Sequence, residues 1–319
     1  MNNKLSEKAS GVYIISATPF TDSGELDLNS ADTLTDFYLQ QGVSGITILG
    51  MMGEASKLTD EESLLFMRRV LARVNGRVPV VVGVSHASHQ HVQRLSLSAM
   101  EAGAAGVMLA PTPNLKTDDQ ISQYYLTLAQ WLGSDVPICL QDFPQSTGVH
   151  TSVAVILRLI EALPQLVMLK HEDLPGLRKL TQVREQSSKR GLRRISILAG
   201  NGGLFLPQEM RRGADGAMTG FAYPEMLVQV CALFQAGKPE AAEDLFDIYL
   251  PLLRHEFQFG IGLALRKETL RRRGVISSAS VRQPGPVLDS TDLNELTQLI
   301  TRLELRLGDT DFQAKFSLS

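Results

Sequence analysis

Lys170 is the residue whose position in this chain most clearly suggests chemistry. It ends the apolar run 166–169 and is followed by His171, Glu172 and Asp173. Burial favours the neutral form of an amine, because the charged form loses its solvation. A neutral lysine amine at the end of a buried strand can attack a carbonyl and form a Schiff base. An ordinary lysine that starts a loop gives the same local pattern, so the rest of the chain has to decide between the two.

Composition and charge indicate the kind of partner. Of the 319 residues, 44% are apolar and 20% charged, the net charge is -3 and the pI is about 6.1. This is ordinary globular composition with no basic field for nucleic acid. No apolar run approaches the length of a transmembrane helix, and the start MNNKLSEKAS lacks the apolar core of a signal peptide. We therefore predict a cytoplasmic protein that binds small metabolites, with Cys139 and Cys231 as free thiols.

Short apolar segments alternate with helical-looking stretches along the chain. The candidate strands are residues 12–16, 45–49, 79–84, 106–110, 137–140, 166–169, 195–199 and 216–219. Three junctions, 42–45, 103–106 and 213–216, share a Gly-x-x-Gly pattern in which the first glycine can end a helix and the second begins a strand. Eight strands by about residue 220 predict an α/β fold, a (β/α)8 TIM barrel. We predict one structural unit, with the barrel in residues 1–222 and a C-terminal helical extension packed on it in 223–319.

A barrel of this kind places its chemistry at the carboxyl ends of its strands. Glycines and polar residues are concentrated at those positions here. The candidate site residues are Gly50, Met51 and Met52 after the second strand, Gln141 after the fifth, Lys170 and Glu172 after the sixth, Gly200 and Asn201 after the seventh, and Met218 and Thr219 at the eighth. Because side chains alternate along a strand, Cys139 lies on the face of Gln141 and Met168 on that of Lys170. If Lys170 faces the lumen, both fill the core beneath it.

Several of these motifs together resemble a known family. Thr18-Pro19-Phe20, the loop from Gly50 to Glu54, and Phe143-Pro144 occur in register with Lys170. With them the chain resembles the dihydrodipicolinate synthase and N-acetylneuraminate lyase family over nearly its whole length. The resemblance implies that Lys170 forms an imine with the C2 carbonyl of an α-keto acid. It also implies that backbone N–H groups of the Met51-Met52 loop hold the substrate carboxylate, and that the protein is a homotetramer or homodimer.

The chain departs from the main family pattern at positions that matter for chemistry. Met51 and Met52 replace two hydroxyl residues, Gln141 replaces a tyrosine, and Ser146 stands where synthases of the lysine pathway carry an arginine. The chain is more similar to the branch that resembles L-2-keto-3-deoxyarabonate dehydratase. The shared features are Gln141-Asp142, Glu172, the stretch 216–220, and the stretch 250–256 that includes His255-Glu256. This branch implies dehydration of a 2-keto-3-deoxy sugar acid.

In such a dehydration the imine at Lys170 acidifies the C3 protons, and the resulting enamine expels the C4 hydroxyl. A positioned acid or base is typically worth about a hundredfold to ten-thousandfold in rate. Glu172 and His255 are our candidates for moving these protons, with a water on Gln141 as another, since Gln141 cannot itself titrate. Two alternatives stay open: a pyruvate-dependent aldolase or lysine-pathway synthase on the same lysine, and a non-catalytic keto-acid-binding protein.

Other features favour structural interpretations. His86, His89 and His91 have metal-like spacing, but we interpret them as a loop and a helix start and predict no metal or other cofactor. The glycine-rich stretch 200–203 is interpreted as a sharp turn. The basic residues Arg266, Lys267 and 271–273 are expected on a solvated or subunit-facing surface.

Overall fold

The computed structural model describes residues 4–308, and within them eight parallel strands close into a barrel. Each strand pairs with the next along the chain, and the first pairs with the eighth. The strands are β1 (Gly11–Ile15), β2 (Gly45–Ile48), β3 (Val80–Gly83), β4 (Gly106–Leu109), β5 (Ile138–Asp142), β6 (Leu166–His171), β7 (Ser196–Ala199) and β8 (Gly216–Ala217). The predicted (β/α)8 TIM barrel is confirmed.

Helices surround the barrel and follow it in the chain. Those that alternate with the strands are α1 (Leu28–Gln40), α2 (Asp60–Val74), α3 (His89–Glu101), α4 (Asp118–Leu132), the short α5 (Pro144–Thr147), α6 (Val153–Ala162), α7 (Leu177–Lys189) and α8 (Leu206–Arg211). After the eighth strand come α9 (Pro224–Gln235), α10 (Pro239–Glu256), α11 (Gly262–Arg272) and α12 (Ser290–Leu307).

The segment assigned in sequence to a C-terminal extension has two parts in the structure. Helix α9 contacts β1 and β8, so it completes the ring of helices around the barrel. Helix α10 packs on α9, and α11 and α12 pack on α10. The predicted division after residue 222 therefore falls before a helix that belongs to the barrel wall. Residues 309–319 of the predicted extension lie outside the described part of the chain.

The core has two layers, separated by the barrel wall. Side chains on the outer face of the strands, such as Leu140 and Leu169, pack with the surrounding helices. Side chains on the inner face form a second buried cluster that includes Tyr13, Cys139 and Met168. Burial raises the pKa of the Cys139 thiol to about 12, although the nearby charge of Lys170 opposes this, so the thiol is neutral. The prediction that Cys139 and Met168 fill the core is confirmed.

The recurring glycine pattern has the predicted backbone conformation. Gly42, Gly103 and Gly213 have φ values of 75°, 95° and 92°, and each lies just after the end of α1, α3 or α8. Glycine adopts this left-handed region without a steric penalty, which allows the chain to leave the helix and turn toward the next strand.

Cys139 and Cys231 are free and buried. Over residues 4–308, every helix is too short or too polar to cross a membrane.

Candidate active site

Lys170 lies inside the barrel near the carboxyl end of β6. The strand continues through Lys170 and His171, two residues further than predicted, because these residues pair with Gln141 and Asp142 of β5 and with Leu198 and Ala199 of β7. The Lys170 side chain is buried, and its Nζ lies 2.8 Å from Oε2 of Glu172. The predicted nucleophile therefore has a carboxylate within hydrogen-bond distance.

Gln141 completes a three-residue array with this pair. Its Nε2 donates a hydrogen bond of 2.7 Å to the same Oε2 of Glu172. The register of β5 and β6 places Gln141 beside Lys170, so both side chains point into the lumen at one level. The structure thus brings together Lys170, Gln141 and Glu172, three of the four residues predicted to be catalytic.

Gly200 provides the space that Glu172 occupies. Its backbone N–H donates to the carbonyl of His171, which continues the ladder between β6 and β7. A Cβ at position 200 would lie 2.1 Å from Cγ of Glu172, far inside van der Waals contact. Only a residue without a side chain leaves the carboxylate where it is, so Gly200 positions Glu172.

A cavity of about 370 Å³ opens above the array, at the carboxyl ends of the strands. Its apolar walls include Met51, Met52, Phe143, Phe257, Phe259 and Leu263. Its polar groups include Lys170, Glu172, Ser146, Thr219, Glu256 and Arg266. A mostly apolar cavity with a few placed polar groups is typical of a site for a small ligand.

The loop after β2 forms one side of the cavity. It begins with a 3₁₀ turn, Met51–Gly53, which Thr18 fixes by donating from Oγ1 to the carbonyl of Gly53 at 2.6 Å. The first amides of a helical turn take no intrahelical acceptor, which leaves those of Met51 and Met52 available. Oγ of Ser146 lies 3.0 Å from Sδ of Met51, so α5 and the loop meet at the cavity.

Glu256 and Arg266 form a buried ion pair in the cavity wall. Nε of Arg266 donates to Oε1 of Glu256 at 2.6 Å, and the backbone N–H of Ala222 donates to Oε2 of Glu256 at 3.1 Å. Burial raises the pKa of Glu256, while Arg266 and this N–H oppose the rise. The sequence predicts neither residue at the site: Arg266 is expected on a surface, and Glu256 occurs only within the stretch 250–256.

The prediction that Arg266 and Lys267 lie on a solvated or subunit-facing surface is wrong. Arg266 is 3% exposed and Lys267 fully buried, because α11 packs on α10 and all its residues from Ala264 to Leu270 are buried. Each charge has a carboxylate partner from a distant part of the chain, Glu256 for Arg266 and Glu54 for Lys267. One sequence clue existed: Arg266 and Lys267 directly follow the apolar residues 263–265.

Several predicted site residues do not line the cavity. His255 precedes Glu256 on α10, but its Nδ1 lies 3.2 Å from Nε2 of Gln258 and its buried Nε2 has no partner within residues 4–308. Met218 belongs to the buried cluster inside the barrel, and its Sδ lies 3.8 Å from Sγ of Cys139. Asn201 is buried in the turn Asn201–Gly203, with Oδ1 unpaired among the described residues.

Of the remaining predicted binding residues, some line the cavity and others lie beside it. Thr219 lines the cavity, as do Met51 and Met52. Gly50 lies at the base of the loop, where a Cβ would be 3.4 Å from Cε of Met108. It therefore contributes to the site by allowing the loop conformation and does not line the cavity itself. The glycine-rich stretch 200–203 forms the predicted sharp turn, in which Gly202 reaches the cavity.

The three histidines after β3 lie at a helix start and pack against neighbouring side chains. His89 begins α3, as predicted, and His86 and His91 stack with ring centroids 4.0 Å apart. Nδ1 of His91 lies 3.5 Å from Oδ1 of Asp60. Between residues 4 and 308 there is no group of three or more His, Cys, Asp or Glu side chains placed to hold a metal ion.

A second cluster of charges lies behind the barrel wall, on the outer face of β5 and β6. Nζ of Lys179 contacts Oδ2 of Asp142 at 2.6 Å, and Nε2 of His171 lies 2.9 Å from the carbonyl oxygen of Gly176. Burial by itself lowers the pKa of His171, but Asp142 and Glu209 outweigh it and raise the value. Burial raises the pKa of Glu209 to about 7, with His171 opposing the rise and Glu172 adding to it.

The chain is similar to known proteins over nearly its whole length. A model of the dihydrodipicolinate synthetase family matches residues 8–303. L-2-keto-3-deoxyarabonate dehydratase of Azospirillum brasilense is 31% identical over 308 residues, which cover 95% of this chain and 97% of that protein. 4-hydroxy-tetrahydrodipicolinate synthase of Sorangium cellulosum is 30% identical over 302 residues, 93% of this chain and 97% of that protein.

A solved structure is similar at the level of the fold and the sequence. The crystal structure of dihydrodipicolinate synthase from Rhodopseudomonas palustris superposes with a TM-score of 0.91 and is 46% identical. The match covers 94% of this chain and 99% of that chain. The similarity to all three proteins extends over nearly their whole lengths.

Proposed function

The chain belongs to the dihydrodipicolinate synthetase family and is a lyase, and we propose that it dehydrates a 2-keto-3-deoxy sugar acid through an imine at Lys170. The observation that carries this proposal is the array of Lys170, Glu172 and Gln141 at the base of the cavity. A nucleophilic amine needs a group that takes and returns its protons, and Glu172 is 2.8 Å from Nζ.

The proposed reaction begins with attack of the neutral Lys170 amine on C2, which expels water and leaves an imine. The loop amides of Met51 and Met52 hold the C1 carboxylate. A base then removes a C3 proton, and the electron pair moves into the imine to give an enamine. When the enamine collapses, the C4 hydroxyl takes a proton and leaves as water. Hydrolysis of the remaining imine frees Lys170.

Glu172 is our candidate for the proton transfers because it alone of the predicted acids and bases contacts Lys170 in the described chain. Gln141 donates to Glu172 but does not titrate, so its role is to hold the carboxylate in place. A role for His255 is not supported by its position, since its imidazole does not line the cavity. The 31% identity to the dehydratase of A. brasilense supports the dehydration step.

A pyruvate-dependent synthase is the second candidate, because the chain is 46% identical to the synthase from R. palustris. Such an enzyme forms the same imine and adds the enamine to a second carbonyl compound. Ser146 and Gln141 weaken this alternative, since neither can replace the arginine and the tyrosine that the resemblance leads us to expect. Assembly as a homodimer or homotetramer and a cytoplasmic location stay predictions.

The test compares the two reactions in purified protein. We expect L-2-keto-3-deoxyarabonate to lose water, and pyruvate with aspartate semialdehyde to give little condensation product. The Lys170→Arg variant keeps the positive charge beside Glu172 but cannot form the imine, so kcat should fall on the order of a thousandfold or more. Condensation faster than dehydration would favour the synthase. Turnover retained in Lys170→Arg would contradict both candidates.

A further inference from the structure

Arg266 is fixed in the cavity wall with one nitrogen unused. Nε bonds to Glu256, and Nη2 donates to the carbonyl of Gly220 at 2.7 Å. Nη1 is buried and has no hydrogen-bond partner within residues 4–308. A Cβ on Gly220 would lie 2.0 Å from Nη1, so the guanidinium packs directly on this backbone. Since two of its nitrogens are bound, Arg266 cannot turn to pair the third.

An unpaired buried donor costs free energy, and a ligand that supplies an acceptor recovers it. Arg266 lines the cavity that contains Lys170, together with Thr219 and Gly220. Most of the surrounding wall is apolar, including Phe257 and Leu263. In such a cavity the few polar groups determine orientation and specificity. Because Nη1 packs on Gly220, which also lines this cavity, it is the donor of Arg266 that a bound ligand's acceptor would meet.

The charge of the pair indicates which acceptor fits. Glu256 compensates the charge of Arg266, and both of its oxygens already accept hydrogen bonds. A second carboxylate on the ligand would be buried without a free counter-charge, which is costly. A hydroxyl oxygen accepts the same hydrogen bond without that cost. The site thus favours a ligand whose end distant from the C1 carboxylate, here called the tail, is polar and neutral over one whose tail is anionic.

The position of Arg266 indicates which part of the substrate it meets. Its partner Gly220 follows β8, which is separated from β6 and Lys170 by β7 alone. Two strand spacings amount to on the order of 10 Å, so the contact lies away from the imine carbon. We propose that Arg266, held by Glu256, is a specificity residue that donates a hydrogen bond to a terminal hydroxyl of the 2-keto acid. This inference rests on the proposed imine chemistry and narrows its substrate to hydroxylated acids.

The first experiment compares two substrates in each enzyme, which removes differences in the folded fraction. L-2-keto-3-deoxyarabonate carries a C5 hydroxyl, and 4-hydroxy-2-ketopentanoate has a methyl group there instead. We expect wild-type kcat/KM to favour the hydroxylated acid by about tenfold to a hundredfold. In Arg266→Met this preference should fall to near unity. Arg266→Lys, which keeps the charge beside Glu256 but lacks the planar fork, should lose most of it too.

The outcomes separate the two proposals. Borohydride trapping of pyruvate at Lys170 reports the imine chemistry, because pyruvate has no distal hydroxyl. If wild type traps pyruvate but Arg266→Met keeps the wild-type preference, Arg266 does not contact the tail and the inference is overturned. If Arg266→Met slows both acids equally, Arg266 is structural, which also overturns it. Failure of wild type to trap pyruvate contradicts the proposed function itself.

A second variant tests the charge argument. Glu256→Gln leaves Arg266 without a counter-charge, so a 2-keto acid with a terminal carboxylate should bind better. We expect the trapping of 2-ketoglutarate to improve by about tenfold relative to wild type. The trapping of pyruvate in the same variant provides the reference. No gain for 2-ketoglutarate over pyruvate would contradict selection of the tail by charge.

Discussion

Glu172 connects the parts of the proposed active site. It contacts Lys170 and Gln141 through one oxygen, while its methylene carbons fill the space beside Gly200. Its position therefore depends on three neighbours from three different strands or strand ends. Small displacements of such a group can cost about a hundredfold in rate, because proton transfer needs close geometry.

Gly200→Ala tests this dependence directly. A Cβ at this position would lie 2.1 Å from Cγ of Glu172, so the substitution should displace the Glu172 side chain. We expect kcat to fall by about tenfold to a hundredfold while the protein stays folded. The control is the double variant with Glu172→Gln, measured against Glu172→Gln alone. Additive losses in this cycle would show that Gly200 acts elsewhere.

The site residues that lie at the ends of strands could be predicted from the sequence. Lys170, Glu172 and Gln141 lie at strand ends, and alternation together with the barrel rule brings them to one rim. Arg266 and Glu256 come from helices beyond the barrel, and their burial depends on how α10 and α11 pack. No periodicity in the sequence specifies that packing, so the basic run predicts a surface location, which is wrong for Arg266 and Lys267.

At the level of elements, Glu54 ties the substrate loop to the C-terminal helices. Its φ is 54°, and it joins the two 3₁₀ turns that follow β2. Oε1 accepts from Nζ of Lys267 at 2.6 Å, and Oε2 accepts from Lys57 and from the backbone N–H of Arg282, each at 3.0 Å. The loop at Met51 and Met52 is thus held by residues more than 200 positions away.

We expect Lys267→Met to be strongly destabilising, because it leaves the buried carboxylate of Glu54 without its closest charged partner. The free energy of unfolding should fall by about 3 to 5 kcal/mol, measured by urea denaturation. Arg69→Met is the control, since Arg69 pairs with Asp32 on the surface. An exposed pair of this kind contributes only about 0 to 1 kcal/mol. Equal losses in the two variants would contradict the argument.

At the scale of the whole molecule, the fold was predicted because its repeats are visible in the sequence. Eight apolar segments and the junction glycines such as Gly42 and Gly103 mark the alternation of strands and helices. The predicted limit at residue 222 falls just before α9, which contacts β1 and β8 and so completes the ring of helices. Helix α9 packs on the strands and α10 on other helices, and this difference cannot be seen in the amino-acid composition of the two segments.

The stability of the whole molecule should depend on pH through Glu209. Its pKa rises from the ordinary 4.5 to about 7 on folding, chiefly because of burial. Between these values the folded protein holds a proton that the unfolded chain has released, so the free energy of unfolding falls as the pH increases from about 4.5 to about 7. The decrease is at most about 3 kcal/mol.

Glu209→Gln keeps the neutral shape of the protonated acid and has no proton to release. Its free energy of unfolding should therefore lack this part of the decrease, and the difference between variant and wild type should grow in favour of the variant toward pH 7. Urea denaturation at several values between pH 5 and pH 8 measures it. A difference that stays constant over this range would contradict an elevated pKa at Glu209.

The central claim is that Lys170 forms a Schiff base, and borohydride trapping with pyruvate and with 2-keto-3-deoxy sugar acids tests it most directly. Peptide mass analysis then identifies the modified residue. We predict a stable adduct on Lys170 in wild type and none in Lys170→Arg, with the sugar acid trapped more readily than pyruvate. A folded protein that forms no adduct with any keto acid, or forms it at another lysine, would contradict the account.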